Sequence, residues 1–163
     1  MKMVYGPVPS WRIGRSLGVN PIPLKTCNYS CVYCQLGRTM QMTNQRRDFV
    51  LPEEILNDIK RAMELHSSDG KIDFVTFIRE CEPTLCKSIG WLIRKSKEIA
   101  DIPIAVDANG SLLYREDVRN DLSHADVVMP SFDAKRLEES GKIKKGEVRG
   151  ESLLAYSGGD KRV

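Results

Sequence analysis

The chain has 163 residues, 41% hydrophobic and 29% charged, with a formal net charge of +3, a composition that predicts one globular domain and leaves too little chain for two. No uninterrupted apolar run approaches the roughly 18 residues of a membrane-spanning helix, and the opening MKMVYGPVPSWR lacks the apolar stretch of a secretory signal, so the reading is a cytoplasmic protein with no membrane partner. Five cysteines, an odd number, argue against a disulfide framework and leave metal or redox chemistry as their leading use.

In chain order, the first twenty-five residues are rich in Gly and Pro and read as an irregular arm that enters a short strand near Pro21 to Lys25. After a cysteine-bearing loop, DFVLPEEILNDIKRAMELH predicts an amphipathic helix. Pro52 suits its first turn, Glu53 and Glu54 suit the positive end of its dipole, and Ile55, Ile59 and Ala62 recur at helical spacing. Ile72 to Ile78 is a nearly continuous apolar, β-branched run, the pattern of a strand buried on both faces of a parallel sheet. A helix through SIGWLIRKSKEIA, a strand at IPIAV, a shorter helix around YREDVRNDLSHA and a strand at DVVMP follow. This alternation predicts an α/β fold of about four parallel strands linked by right-handed crossovers. From Lys135 no strong apolar period is left, so residues 135–163 read as a loosely ordered, divergent tail with one helical turn at most, and residues 1–134 as the core.

Ligands of parallel α/β sheets sit beyond the carboxyl ends of the strands, whether the sheet is open or rolled into a barrel. That rule gathers four segments around one site: the cysteine loop, Glu80 to Thr84, Asp107 to Ser111, and Ser131 to Asp133. In the loop TCNYSCVYCQLGRT, Cys27, Cys31 and Cys34 follow a Cys-x3-Cys-x2-Cys pattern. Three thiolates on one loop can hold three corners of an iron–sulfur cubane, whereas a structural zinc site needs a fourth ligand, for which His66, Cys81, Cys86 and His124 are the candidates and Cys81 the best placed. The spacing favours the cluster and leaves zinc open. The first fifty residues hold seven Lys or Arg against one acid, Asp48, a basic balance that suits an anionic ligand or nucleic acid, or equally an ordinary solvated surface.

The Cys-x3-Cys-x2-Cys triplet with Tyr33 before its last cysteine, together with YGPVPSWRIGRSLGVNPIPLK, ECEPTL, ANGSLLYREDVR and ADVVMPSFDA, resembles the radical S-adenosylmethionine (radical SAM) superfamily, in a group related to wyosine tRNA-modifying proteins. The likeness runs through roughly residues 4 to 134. It implies a C-terminally shortened, incomplete radical SAM barrel of the partial TIM type, and a 4Fe-4S cluster on Cys27, Cys31 and Cys34 with S-adenosylmethionine on its open iron. The implied activity is reductive cleavage of S-adenosylmethionine to a 5′-deoxyadenosyl radical, fed by an electron donor.

By the same resemblance Glu82, Asn109, Ser131 and Asp133 contact S-adenosylmethionine, and Tyr33 packs beside its adenine. Each has a plainer reading as a solvated acid, a turn residue, a cap or loop packing. The sequence departs from the resemblance at Arg79 and Cys81, where glycines are usual, and at Asp107 and Ala108. The shortened sheet would leave an open edge for a second chain or a second copy to cover. Two alternatives stand beside the enzyme: a non-catalytic iron–sulfur or metal-binding relic, and an RNA-binding module with tRNA as partner.

Overall fold

A computed structural model of the chain describes residues 3–78, 80–99 and 101–131 together with the backbone of Lys144–Gly146. Among these residues no helix is long and apolar enough to cross a membrane.

The expected irregular arm is a β-hairpin. Strand β1 (Val4–Ser10) pairs antiparallel with β2 (Gly14–Val19), with a register shift between Tyr5 and Val8. Pro7 and Pro9 suggest a loop because they cannot donate to a ladder, yet β1 is the outermost strand of its sheet, where a missing donor costs nothing. The strand expected near Pro21 to Lys25 is displaced to β2, and Pro21 to Lys25 becomes the turn that follows it.

The cysteine segment forms three short pieces, β3 (Thr26–Cys27), β4 (Tyr29–Cys31) and β5 (Gln41–Met42), with β3 and β5 parallel. Helix α1 (Pro52–Leu65) starts on Pro52 with Glu53 and Glu54 in its first turn, and turns Ile55 and Ile59 into the core. Strand β6 (Phe74–Phe77) is followed by a single 3-10 turn at Pro83–Leu85. Helix α2 (Ile89–Ile99), strand β7 (Ile104–Ala108), helix α3 (Glu116–Leu122) and strand β8 (Val127–Pro130) complete the alternation. Strand β9 (Lys144–Gly146) pairs antiparallel with β4; the rest of the expected tail lies outside the described residues, as do Arg79 and Asp133.

The main sheet has the order β1-β2-β6-β7-β8, antiparallel between β1 and β2 and parallel thereafter. This corrects the expected incomplete barrel: the fold is a mixed α/β sheet with an antiparallel edge, and among the described residues β1 and β8 end it without closing on one another. In register, Leu17, Val75 and Ile104 form one row and Val19, Phe77 and Val106 the next. These side chains are fully or almost fully buried and share a core with Ile55, Ile59, Ile89, Leu92, Ile93, Val118 and Leu122 of the three helices. The period of two then puts Ser16, Gly18, Thr76 and Ala105 on the opposite face. Around Gly18 that face is small and polar, with Ser16 and Thr76 joined hydroxyl to hydroxyl at 2.6 Å, while Phe74 and Val127 lie on it further out.

Helix α1 has one local weakness. Its N-cap, Leu51, is 63% exposed, has extended backbone angles and supplies no side-chain acceptor. Leu51→Ser is expected to stabilise the protein by about 1 kcal/mol by capping a free helical N–H. Urea unfolding midpoints of the two proteins check this, and a variant no more stable than the parent would contradict it.

Candidate functional site

The parallel strands point their carboxyl ends toward the cysteine segment, and the backbone fastens the two together. Lys25 N–H donates to the Glu80 carbonyl at 3.1 Å and Glu82 N–H to the Thr26 carbonyl at 3.0 Å. The loop then winds through successive turns, Cys34 N–H on the Cys31 carbonyl and Gly37 N–H on the Cys34 carbonyl, and is closed by Thr43 N–H on the Cys27 carbonyl. Between loop and strand ends lies a cavity of about 410 Å3. A larger surface depression of about 680 Å3 lies between α1 and α2, on the helical side and away from the strand ends.

Six of the sequence-predicted site residues line the cavity: Cys27, Cys31, Tyr33, Cys34, Glu82 and Asn109. Ser131, whose N–H is held by the Ala108 carbonyl at 3.0 Å, is absent from its lining. Tyr5, Lys25, Tyr29, Arg38, Glu80, Cys81 and Asp107 line it as well. Tyr5 is the residue that sequence reasoning missed, because it comes from the hairpin read as irregular. Of the candidates for a fourth ligand, His66 is turned to Asp69 at 2.7 Å and Cys86 toward Asp48 at 3.6 Å. Only Cys81 reaches the cavity; it is buried with its thiol on the Ile78 carbonyl at 3.7 Å, and burial lifts its pKa well above the ordinary thiol value.

Glu82 is the centre of the polar network. It is 1% exposed. Its Oε1 accepts the Thr84 N–H at 3.1 Å and the Thr84 hydroxyl, and its Oε2 accepts the Asn109 N–H at 2.7 Å. The carboxylate thereby caps the 3-10 turn and ties the end of β6 to the end of β7. Burial raises its pKa above the ordinary carboxylate value despite these three donors.

Asn109 is the turn residue it was read as, and it also sits in the polar network at the cavity. It precedes Gly110, whose φ of +79° is one that a side chain would strain, and it also organises the site. Its Nδ2 donates to Asn28 Oδ1 at 2.8 Å and to Cys27 Sγ at 3.5 Å, and its Oδ1 accepts the Ser111 N–H at 2.8 Å. Asn28 closes the ring through Ser111 Oγ at 2.7 Å. Cys27 Sγ also accepts the Tyr29 N–H at 3.4 Å, while burial, and next the Glu82 carboxylate, push its pKa up to about 12.

The three loop cysteines share a cavity, yet among the described residues no three Cys, His, Asp or Glu side chains are grouped so as to hold a metal ion. Cys27 is bound into the asparagine network, Cys31 belongs to β4, and Cys34 lies one turn further on. The residues as arranged therefore do not fit the expected cluster, and no chemical step is derived through one.

No protein-family profile matches the chain. It is similar to a UPF0026 protein of Methanocaldococcus jannaschii, 44% identical over 82% of this chain and 41% of that protein. A UPF0026 protein of Synechocystis is 37% identical over 80% of this chain and 48% of its own length. A protein of Brachyspira hyodysenteriae named GTPase Obg is 43% identical over 84% of this chain but 20% of that protein; this chain has no G-x-x-x-x-G-K-[ST] segment, so that name carries no nucleotide argument here.

These findings correct the radical SAM resemblance, since the matching relatives carry the UPF0026 name and no profile supports the superfamily. The expected reductive cleavage of S-adenosylmethionine falls with it, as do the iron–sulfur and metal-binding alternatives. A cysteine triplet and short shared segments define a local pattern, and a local pattern does not fix chemistry. The chain spans between a fifth and about half the length of the curated relatives it matches, and its likeness is to UPF0026 proteins over about four fifths of its own length.

Proposed function

We propose that the chain is a small-molecule binding domain whose strand-end cavity takes a cationic adenosyl ligand of the S-adenosylmethionine type. The observation that carries this reading is the composition of the cavity lining. Glu80, Glu82 and Asp107 come from the ends of β6 and β7, Tyr5, Tyr29 and Tyr33 add aromatic surface, and Lys25 and Arg38 supply positive charge. A ligand with a positive sulfur, an ammonium, a carboxylate and a purine ring has a counterpart for each of these. The cavity volume of about 410 Å3 lies within the usual range for such ligands. The reading is one of binding; the electron donor and the radical chemistry have no part in it.

Equilibrium dialysis with labelled S-adenosylmethionine tests it. Saturable binding in the micromolar range, about −8 kcal/mol, is expected. Bound ligand should also slow iodoacetamide labelling of Cys31 and Cys34, which line the cavity and are partly exposed. Absence of saturable binding up to about 1 mM overturns the reading.

A further inference from the structure

The antiparallel strand β1 brings a side chain to the cavity that none of the parallel strands supplies. Tyr5 stands opposite Gly18 in the β1–β2 register. Its ring lies directly on that glycine: a Cβ at position 18 would come within 2.8 Å of both Cε1 and Cε2 of the ring. Only glycine leaves room for this, so the close approach is built into β2. On the same sheet face the positions beside and across from Gly18 are Ser16 and Thr76, with Ala105 beyond, and these small residues leave the space that an aromatic ring takes up; Phe74 lies diagonally, beside Ser16.

From there Tyr5 reaches the cavity lining together with Glu80, Cys81 and Asp107. Two of these neighbours are carboxylates, one beyond the end of β6 and one at the end of β7. A phenol among carboxylates presents negative potential from its ring face and its oxygen, and offers it to a cation that has no N–H of its own to donate. Burial, and next the neighbouring Glu80, hold the Tyr5 pKa above the ordinary phenol value, so the ring stays neutral across the physiological range.

We propose that Tyr5, seated on Gly18, is the specificity-determining wall of the cavity and selects a ligand with a positively charged sulfur over its uncharged thioether counterpart. This rests on the cavity being the adenosyl-ligand site.

The experiment compares S-adenosylmethionine with S-adenosylhomocysteine, which differ in the S-methyl group and the positive charge it places on sulfur, by isothermal titration of the parent chain, Tyr5→Phe and Tyr5→Leu. The parent is expected to prefer the sulfonium by about tenfold. Tyr5→Leu should lower the ratio about fivefold or more by weakening the sulfonium ligand while sparing the thioether, the residual preference coming from Glu80 and Asp107. Tyr5→Phe, which keeps the ring and removes the oxygen, should lower the ratio about threefold. A parent-like ratio in both variants overturns the assignment, and if the leucine variant fails to fold the phenylalanine variant decides alone. A parent that binds both ligands equally overturns the role of Tyr5 and leaves the cavity reading standing; a parent that binds neither overturns both.

Discussion

Glu82→Ala is expected to destabilise the protein by about 3 kcal/mol at neutral pH and to abolish ligand binding at the cavity. The substitution leaves the Asn109 and Thr84 N–H groups, both at buried residues, without the acceptor that Glu82 gives them, and each orphaned buried donor costs about 1–3 kcal/mol. Relief of a desolvated carboxylate offsets part of that, which keeps the expected figure well below the largest possible sum. Glu82→Gln keeps Oε1 as acceptor for Thr84 but can set an amide N–H₂ against the Asn109 N–H, so about 1–2 kcal/mol is expected.

The pH dependence separates charge from geometry. Burial raises the folded-state pKa of Glu82 above its ordinary value of 4.5, so its contribution is fully present below that value and declines as pH rises through the folded pKa. Urea unfolding should therefore show the parent losing stability relative to Glu82→Gln as pH rises above 4.5 toward the raised folded value. Parallel pH profiles for the two proteins would contradict this account.

What was legible in the sequence is what depends on near neighbours. Pro52, Glu53, Glu54 and the Ile55–Ile59 spacing specify α1 through local capping and one-sided burial, and Pro52–Leu65 follows. The β-branched run of Ile72 to Ile78 likewise contains β6. The hairpin was not legible, because Gly6, Pro7 and Pro9 weaken a strand in isolation and only its place at the sheet edge makes them harmless.

The site divides in the same way. The strand-end rule correctly gathered Glu82, Asn109 and the cysteine loop, since it follows from connectivity. Tyr5 lay beyond it because its position depends on β1 pairing with β2 and on the room above Gly18, which are long-range facts. A signal was present all the same: an aromatic residue in a segment whose paired strand carries a glycine just before its last residue. Likeness of motif went furthest astray, since three cysteines close in sequence were read as three thiols meeting at a point.

Arg46 supplies the other large expected effect. Among the basic residues of the first fifty it reads as a surface charge, but its side chain is 7% exposed. Its Nε donates to the Thr84 carbonyl at 2.8 Å and its Nη2 to the Cys86 carbonyl at 3.2 Å, while Nη1 and Nη2 meet Asp117 and Asp121 at 2.6 Å each. One guanidinium thus joins the turn that carries Glu82 to helix α3. Arg46→Ala should cost about 2–3 kcal/mol, because it orphans the buried Thr84 carbonyl and leaves Asp121 without its cation, while the Cys86 carbonyl keeps the Ile89 N–H and Asp117 keeps Arg115. Arg46→Lys should recover less than half of that, since a single ammonium cannot serve both carbonyls and both acids.

The exposed pair beside it provides the contrast. Arg115 and Asp117 meet at 2.9 Å with side chains 40% and 49% exposed, so Arg115→Ala should cost less than about 1 kcal/mol. Arg115, and then Arg46, hold the Asp117 pKa below its ordinary value of 3.8. Stability from that carboxylate is present above 3.8 and lost as pH falls through its lower folded value, so Arg46→Ala should soften the acid limb of the unfolding profile as well as lowering the neutral plateau. Ligand affinity should fall several-fold in the same variant, because the turn bearing Thr84 and Glu82 loses its anchor. An Arg46→Ala protein within about 1 kcal/mol of the parent would mean that these contacts behave as a surface ion pair, and the link from α3 through Thr84 to Glu82 would then carry no energy.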